Sequence, residues 1–169
     1  VRAEAEFTAF AEAAATRLRQ IAYLMCRDWH LAQDLTQTTL TKLYVAWPRI
    51  TRRDTEPFGY ARKVLLNSLL DHKRLRSSTE LATDLIPERG PDTRCSTASA
   101  DVRLTLVDAL GLLPPRDRAI VLLRYWEDHS VEATAEILGI SVSVVKTQSM
   151  RSLAQLRERL GEARAELFA

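Results

Sequence analysis

The chain has 169 residues, enough for one ordinary domain or two small ones, and 46% of them are apolar with only 6 Pro and 5 Gly. That excludes a disordered or low-complexity protein. The net charge of +2 is unevenly spread: residues 1–78 carry 13 Lys and Arg against 8 Asp and Glu, residues 79–102 carry 2 against 5, and residues 103–169 carry 9 against 9. A basic front segment suits a polyanion partner, and a solvated helical surface explains so modest an excess equally well.

Leu, Ala, Arg and Glu dominate while Val, Ile and Thr are scattered singly, so the fold class predicted is all-α. No 18-residue apolar run and no basic-then-apolar leader is present, which predicts a cytoplasmic protein without membrane insertion. Cys26 and Cys95 lie far apart and are expected as reduced thiols.

The first helix is predicted from Glu6 to about Arg27, with Phe7, Phe10, Ala14, Leu18, Ile21, Tyr23 and Leu24 at helical spacing. A second starts near His30 and ends before Pro48, whose ring removes a donor and crowds the preceding turn. Its inward residues are read as Leu31, Leu35, Leu40, Leu43 and Tyr44. A basic connector follows, and a third helix starts near Pro57, where proline suits the first turn. It carries Tyr60, Val64, Leu65, Leu69 and Leu70 and ends in "DHKRLR". Residues 77–101, rich in Ser, Thr, Pro and Asp without a helical stripe, read as a flexible linker. The division predicted is therefore a first domain of residues 1–76, a linker of 77–101 and a second domain of 102–169.

In the second domain Leu104, Val107, Leu110 and Leu113 mark a short helix, and "PPRDRAIVLLRYWED" opens another with prolines at its start. Val131 to Leu138 is the next. Gly139 then supplies a turn that needs positive φ, and Ser141 caps a helix from Val142 to about Leu160. This is the pattern of a helix-turn-helix, whose second helix enters the major groove. Ala135, Ile137 and Leu138 can share a core with Val145, Leu153 and Leu156. Ser143, Val144, Lys146, Thr147, Gln148 and Arg151 are left toward the open face. Lys146 and Arg151 suit phosphate or guanine, and Gln148 can pair bidentately with adenine. The plainer alternative is a helical hairpin with a solvated face.

Three stretches extend the comparison to nearly the whole chain. "QDLTQTTLTKLY" (Gln33–Tyr44) resembles the second conserved region of bacterial sigma factors. "EPFGYARKVLLNSLLDHKRLR" (Glu56–Arg76) resembles the part that follows it, and Leu106–Leu160 resembles the fourth region. A chain of this length with two such domains resembles the extracytoplasmic-function (group 4) sigma factors, in particular their actinobacterial sigma-E-like branch. The resemblance implies a bacterial RNA polymerase specificity subunit that binds core polymerase, reads the promoter −10 and −35 elements and assists melting. It also makes an anti-sigma factor a candidate partner.

On that resemblance Gln33, Asp34, Leu35 and Gln37 bind core polymerase. The −10 surface comprises Arg52, Arg53, Phe58, Tyr60, Arg62, Lys63, Asn67, Asp71, Lys73 and Arg74. The −35 element is read by Ser143, Val144, Lys146, Thr147, Gln148 and Arg151. Aromatic residues among cations suit captured single-stranded bases, although core packing is the better account of Tyr44, Trp47 and Tyr60 taken singly. The chain departs from the family pattern at Gln33, Gln148 and Ser149, and Ser149 predicts weaker packing behind the recognition helix.

Cys26, His30, His72 and Cys95 could form a zinc set, but a structural thiol and surface histidines account for them better. No catalytic constellation, metal or cofactor is expected, and an enzyme is not the reading. A stand-alone helix-turn-helix regulator with an N-terminal dimerisation or sensor domain is the alternative function, and a purely protein-binding adaptor a third.

Overall fold

The computed structural model describes residues 2–79 and 106–167, with side chains described for 3–72 and 106–161. Within these residues the chain is helical without a strand, as the composition predicts. It divides into two compact units, Val1–Arg89 and Gly90–Ala169.

The first unit holds α1 (Arg2–Cys26), α2 (Trp29–Arg52) and α3 (Pro57–Thr79). Helices α1 and α2 form an antiparallel hairpin. Tyr23 meets Trp29 edge-on at 5.9 Å near the turn, and Phe7 meets Trp47 at 5.2 Å at the far end. The turn is local chemistry. Arg27 takes φ 60°, and the Asp28 carboxylate caps α2 by accepting from the Leu31 N–H at 2.9 Å. Leu18, Ile21, Met25, Leu43, Leu65, Leu66 and Leu69 are almost fully buried and form the core that α3 closes.

Helix α2 does not end before Pro48, contrary to the expectation from its sequence; it runs four residues beyond, to Arg52. Pro48 lies on the exposed side, while Ala46, Trp47 and Ile50 are buried on the other. Proline inside a helix costs about 3 kcal/mol or more, and burying a residue such as Ile50 returns about 1.5–3 kcal/mol each. Trp47 adds ring contacts to Phe7 and Phe10, so packing overrides the local breaker.

The inward face is also displaced from the one predicted. Ala32, Thr36, Thr39, Leu43, Ala46, Trp47 and Ile50 are buried, whereas Leu31, Leu35 and Leu40 are half-buried and Tyr44 is 49% exposed. Thr36 sits in the core because its hydroxyl donates to the Ala32 carbonyl at 2.7 Å. Asp54, at φ 51°, makes the turn to α3. The Glu56 carboxylate then caps α3 by accepting from the Phe58 N–H at 2.9 Å and from the Gly59 N–H. A side chain at residue 59 would place its Cβ 2.7 Å from that carboxylate. Helix α3 takes in residues 77–79, which the sequence assigned to the linker; residues 80–101 lie outside the described residues.

The second unit contains α4 (residues 106–112), α5 (Pro115–Val121), α6 (Val131–Leu138) and α7 (Val142–Leu167). Leu104 of the expected short helix is outside the described residues. Helix α5 continues as a π-helical turn, Leu122–Trp126. Pro114 and Pro115 stand at its start as predicted. Helix α7 passes the predicted end near Leu160 by seven residues.

Arg118 carries a structural role that its charge conceals. It is buried, and its guanidinium donates to the carbonyls of Leu110 and Gly111 at 2.7 Å each and of Leu113 at 3.0 Å. The end of a short helix leaves such carbonyls short of intrahelical donors; that of Leu110 also accepts from the Leu113 N–H at 3.1 Å. One side chain of α5 thereby ties down the end of α4.

Candidate functional site

The helix-turn-helix is assembled by local signals and closed by a small apolar core. Ser130 caps α6 by accepting from the Ala133 N–H at 3.0 Å. Gly139, at φ 65°, turns the chain, and the Ile140 N–H donates to the Ala135 carbonyl at 3.0 Å, the long bond of a Schellman motif. Ser141 caps α7 through the Val144 N–H at 3.3 Å. Ile120, Ala135 and Val145 pack together, with Val131, Leu138, Ile140 and Val142 around them. Leu156 is buried as predicted, while Ile137 and Leu153 are half-buried. Ser149 is buried in this unit, and its hydroxyl has no hydrogen-bond partner among the described residues.

The buried residues Val145, Ser149, Ser152 and Leu156 mark one side of α7. At about 100° per residue, the opposite side centres on Ser143, Thr147 and Ala154. Ser143, Val144, Lys146, Thr147 and Arg151 are exposed, as the sequence placed them, and Gln148 is half-buried at the margin of that face. Arg151 has a neighbour the sequence did not reveal. The Asp117 carboxyl of α5 is pushed above its ordinary value by burial, and Arg116 and Arg151 both act to lower it. Some of the Arg151 charge is thus spent on its own unit.

The residues assigned to the −10 surface fall into separate groups. Tyr60, Lys63, Asn67 and Asp71 are all exposed and recur at helical spacing along one ridge of α3. Arg52 and Arg53 are exposed at the end of α2. Phe58 and Arg62 lie on the other side of α3. Phe58 is half-buried, with the Arg17 guanidinium 4.5 Å and the Arg62 guanidinium 5.8 Å from its ring centre. Arg62 itself is only 8% exposed. The Arg17–Phe58 contact joins α1 to α3, since a guanidinium within about 6 Å of a ring face is attracted to it. The side chains of Lys73 and Arg74 are outside the described residues.

On α2, Gln33, Asp34 and Gln37 are exposed and Leu35 is half-buried. The same side continues through Thr38 and Thr41 to Val45, 73% exposed. Sequence reading did not single out Val45. The signal was there in its i+4 spacing from Thr41 on a polar face.

Comparisons with known proteins bear on both units. The chain matches the family model for sigma-70 region 2 over residues 10–79 and that for sigma-70 region 4 over residues 103–156. An RNA polymerase sigma-E factor of Streptomyces coelicolor is 40% identical over 129 residues, which span 76% of this chain and 71% of that protein. The ECF RNA polymerase sigma factor ShbA of Streptomyces griseus is 30% identical over 139 residues, 76% of this chain and 71% of the relative. Among solved structures, the sigma factor RpoE in complex with the anti-sigma factor NepR from Bartonella quintana superposes with a TM-score of 0.68 at 22% identity. The superposition covers 92% of this chain and 97% of that one, a likeness of fold.

Proposed function

Because this chain belongs to the sigma-70 family of RNA polymerase sigma factors, as one of the extracytoplasmic-function type, we propose the following division of labour among its surfaces. The protein directs core RNA polymerase to promoters, and the sigma factors are initiation factors rather than enzymes. The observation that carries the reading is the order of two distinct units in one chain, a region 2 unit followed by a helix-turn-helix of region 4.

The outer side of α2, through Gln33, Asp34, Leu35 and Gln37, docks on core polymerase. The ridge Tyr60, Lys63, Asn67 and Asp71, with Arg52 and Arg53, meets the −10 element. Tyr60 offers a ring for an unstacked base, a contact worth about 1–3 kcal/mol, comparable with the few kcal/mol that extruding a base demands. Phe58 and Arg62 support this ridge from behind, and Lys73 and Arg74 extend its charge. On α7, Ser143, Val144, Lys146, Thr147 and Gln148 face −35 base edges, and Arg151 grips phosphate. We assign residues 1–76 to the first domain, whose last helix runs on to Thr79, and 102–169 to the second, with the linker between them.

No helix among the described residues is long and apolar enough to cross a membrane; the cytoplasmic site of action proposed for this chain rests on its polymerase and promoter partners. An anti-sigma factor is a further proposed partner, on the analogy of the Bartonella complex.

Run-off transcription with purified core polymerase tests the reading. Transcripts are expected only when this chain is added, and from promoters with one asymmetric pair of elements. Tight binding of a palindromic site without polymerase would point to a dimeric regulator instead. Within the sigma reading, Asp34→Lys should weaken capture of core polymerase without loss of helical signal. Unchanged capture would remove Asp34 from the docking surface.

A further inference from the structure

Met150 is 73% exposed on the recognition helix, although it is unbranched, apolar and flanked by polar residues. Single exposed apolar side chains are ordinary on protein surfaces, so exposure alone says little. Its register says more. Val144, Thr147 and Met150 follow one another at i+3 intervals along the outer side of α7, and all three are exposed. Each carries a methyl group at or near its tip. Lys146, one turn before Met150, and Arg151, beside it, border this ridge with positive charge. Six residues of helix advance about 9 Å, against about 3.4 Å per base pair, so the ridge can span two or three neighbouring pairs.

A methyl-bearing ridge bordered by cations has one natural complement in the major groove. Thymine is the only DNA base that presents a methyl group there. Methionine is well suited to it, because three rotatable bonds and a polarizable thioether let its tip settle against an apolar contact. Gln148, by contrast, lies half-buried at the margin of the face.

We propose that Met150 is a specificity-determining residue of the recognition helix. Its thioether methyl packs on the 5-methyl group of a thymine in the −35 element, in line with Val144 and Thr147. The proposal rests on the assignment of α7 to the −35 element, and its test separates the two.

The probe is a promoter carrying the −35 sequence that the full chain, bound to core polymerase, enriches from a library randomised only at −35. Each thymine on either strand is then replaced singly by deoxyuridine, which removes only the methyl group, and affinity is measured at one fixed salt concentration. At one position at least, the replacement is expected to weaken the wild-type complex about fourfold, the factor that burial of one methyl group corresponds to. Met150→Ala should bind the thymine promoter more weakly by a similar factor and no longer distinguish thymine from deoxyuridine at that position. Met150→Leu should keep most of the discrimination. Full retention of every deoxyuridine penalty by Met150→Ala overturns the proposal, as does an enriched site without thymine on either strand. A library that returns no −35 preference at all overturns the assignment of α7 itself.

Discussion

Arg118→Met removes a buried guanidinium while keeping an unbranched apolar stem of similar reach. The carbonyls of Gly111 and Leu113 lose the donor that satisfied them, and that of Leu110 keeps only the Leu113 N–H. Each acceptor left unsatisfied costs about 1–3 kcal/mol when fully buried. The Leu113 bond is buried and the Gly111 bond is partly so, which favours the low end for the second. The expected loss is about 2–3 kcal/mol, a substantial share of the ~5–15 kcal/mol that stabilises a whole domain. Hydrogen exchange read residue by residue suits a chain of two units, because amides of α5 and α6 report on the second unit alone. Their opening free energy should fall by that amount while amides of α1 and α2 are unaffected. Arg118→Lys should recover less than half, since an ammonium is a point donor and cannot span three carbonyls as a planar fork does. A loss below about 1 kcal/mol in Arg118→Met would refute the claim that this side chain secures the end of α4.

Gly139→Ala should destabilise the second unit by about 1–2 kcal/mol, because φ is 65° and a Cβ there meets nothing within 4 Å. Gly139→Asn should cost less in the same exchange measurement, whereas an equal loss would indicate a steric cause. Pro48→Ala should stabilise the first unit by about 1–3 kcal/mol in urea unfolding; destabilisation would contradict the cost assigned to a proline inside α2. An NMR titration should place the Asp117 carboxyl above 3.8, and Arg151→Ala should raise it further by removing a cation that lowers it. The sign follows from linkage. A carboxyl with a folded-state value above its unfolded one favours folding most below the unfolded value, and that contribution is lost as pH rises through the folded value. Asp117→Asn should remove this part of the pH dependence, and a titration midpoint below 3.8 would contradict the burial argument.

Much of this protein follows from residues acting on their near neighbours in the chain. Ser130, Gly139 and Ser141 set the bounds of α6 and the start of α7 through hydrogen bonds and a left-handed turn spanning only a few residues. Such effects are short-ranged, so the helix-turn-helix was legible in the sequence with most of its exposed face, although Gln148 is half-buried and the exposed Met150 was not among the residues read there. The all-helical class was legible for a similar reason, since helix propensity and apolar spacing are properties of one segment.

What the sequence left open depends on which surfaces meet. Proline at residue 48 stops a helix in isolation, yet α2 continues because Trp47 and Ile50 find partners across the core. Thr36 and Thr39 are buried where a count of apolar residues would place leucines, on the same face as Leu43, Trp47 and Ile50. Phe58 and Arg62 read as members of a DNA-facing group, but tertiary packing sets Phe58 against Arg17 and Arg62 on the side of α3 away from Tyr60. Arg118 and Arg151 are both arginines in polar-looking helices. One is buried against carbonyls 5–8 residues away and the other is exposed beside a distant carboxylate. Neither fate is written in local spacing. A charged side chain's surroundings are set by elements that the fold brings together, and only the packed structure decides whether its charge is left for a partner.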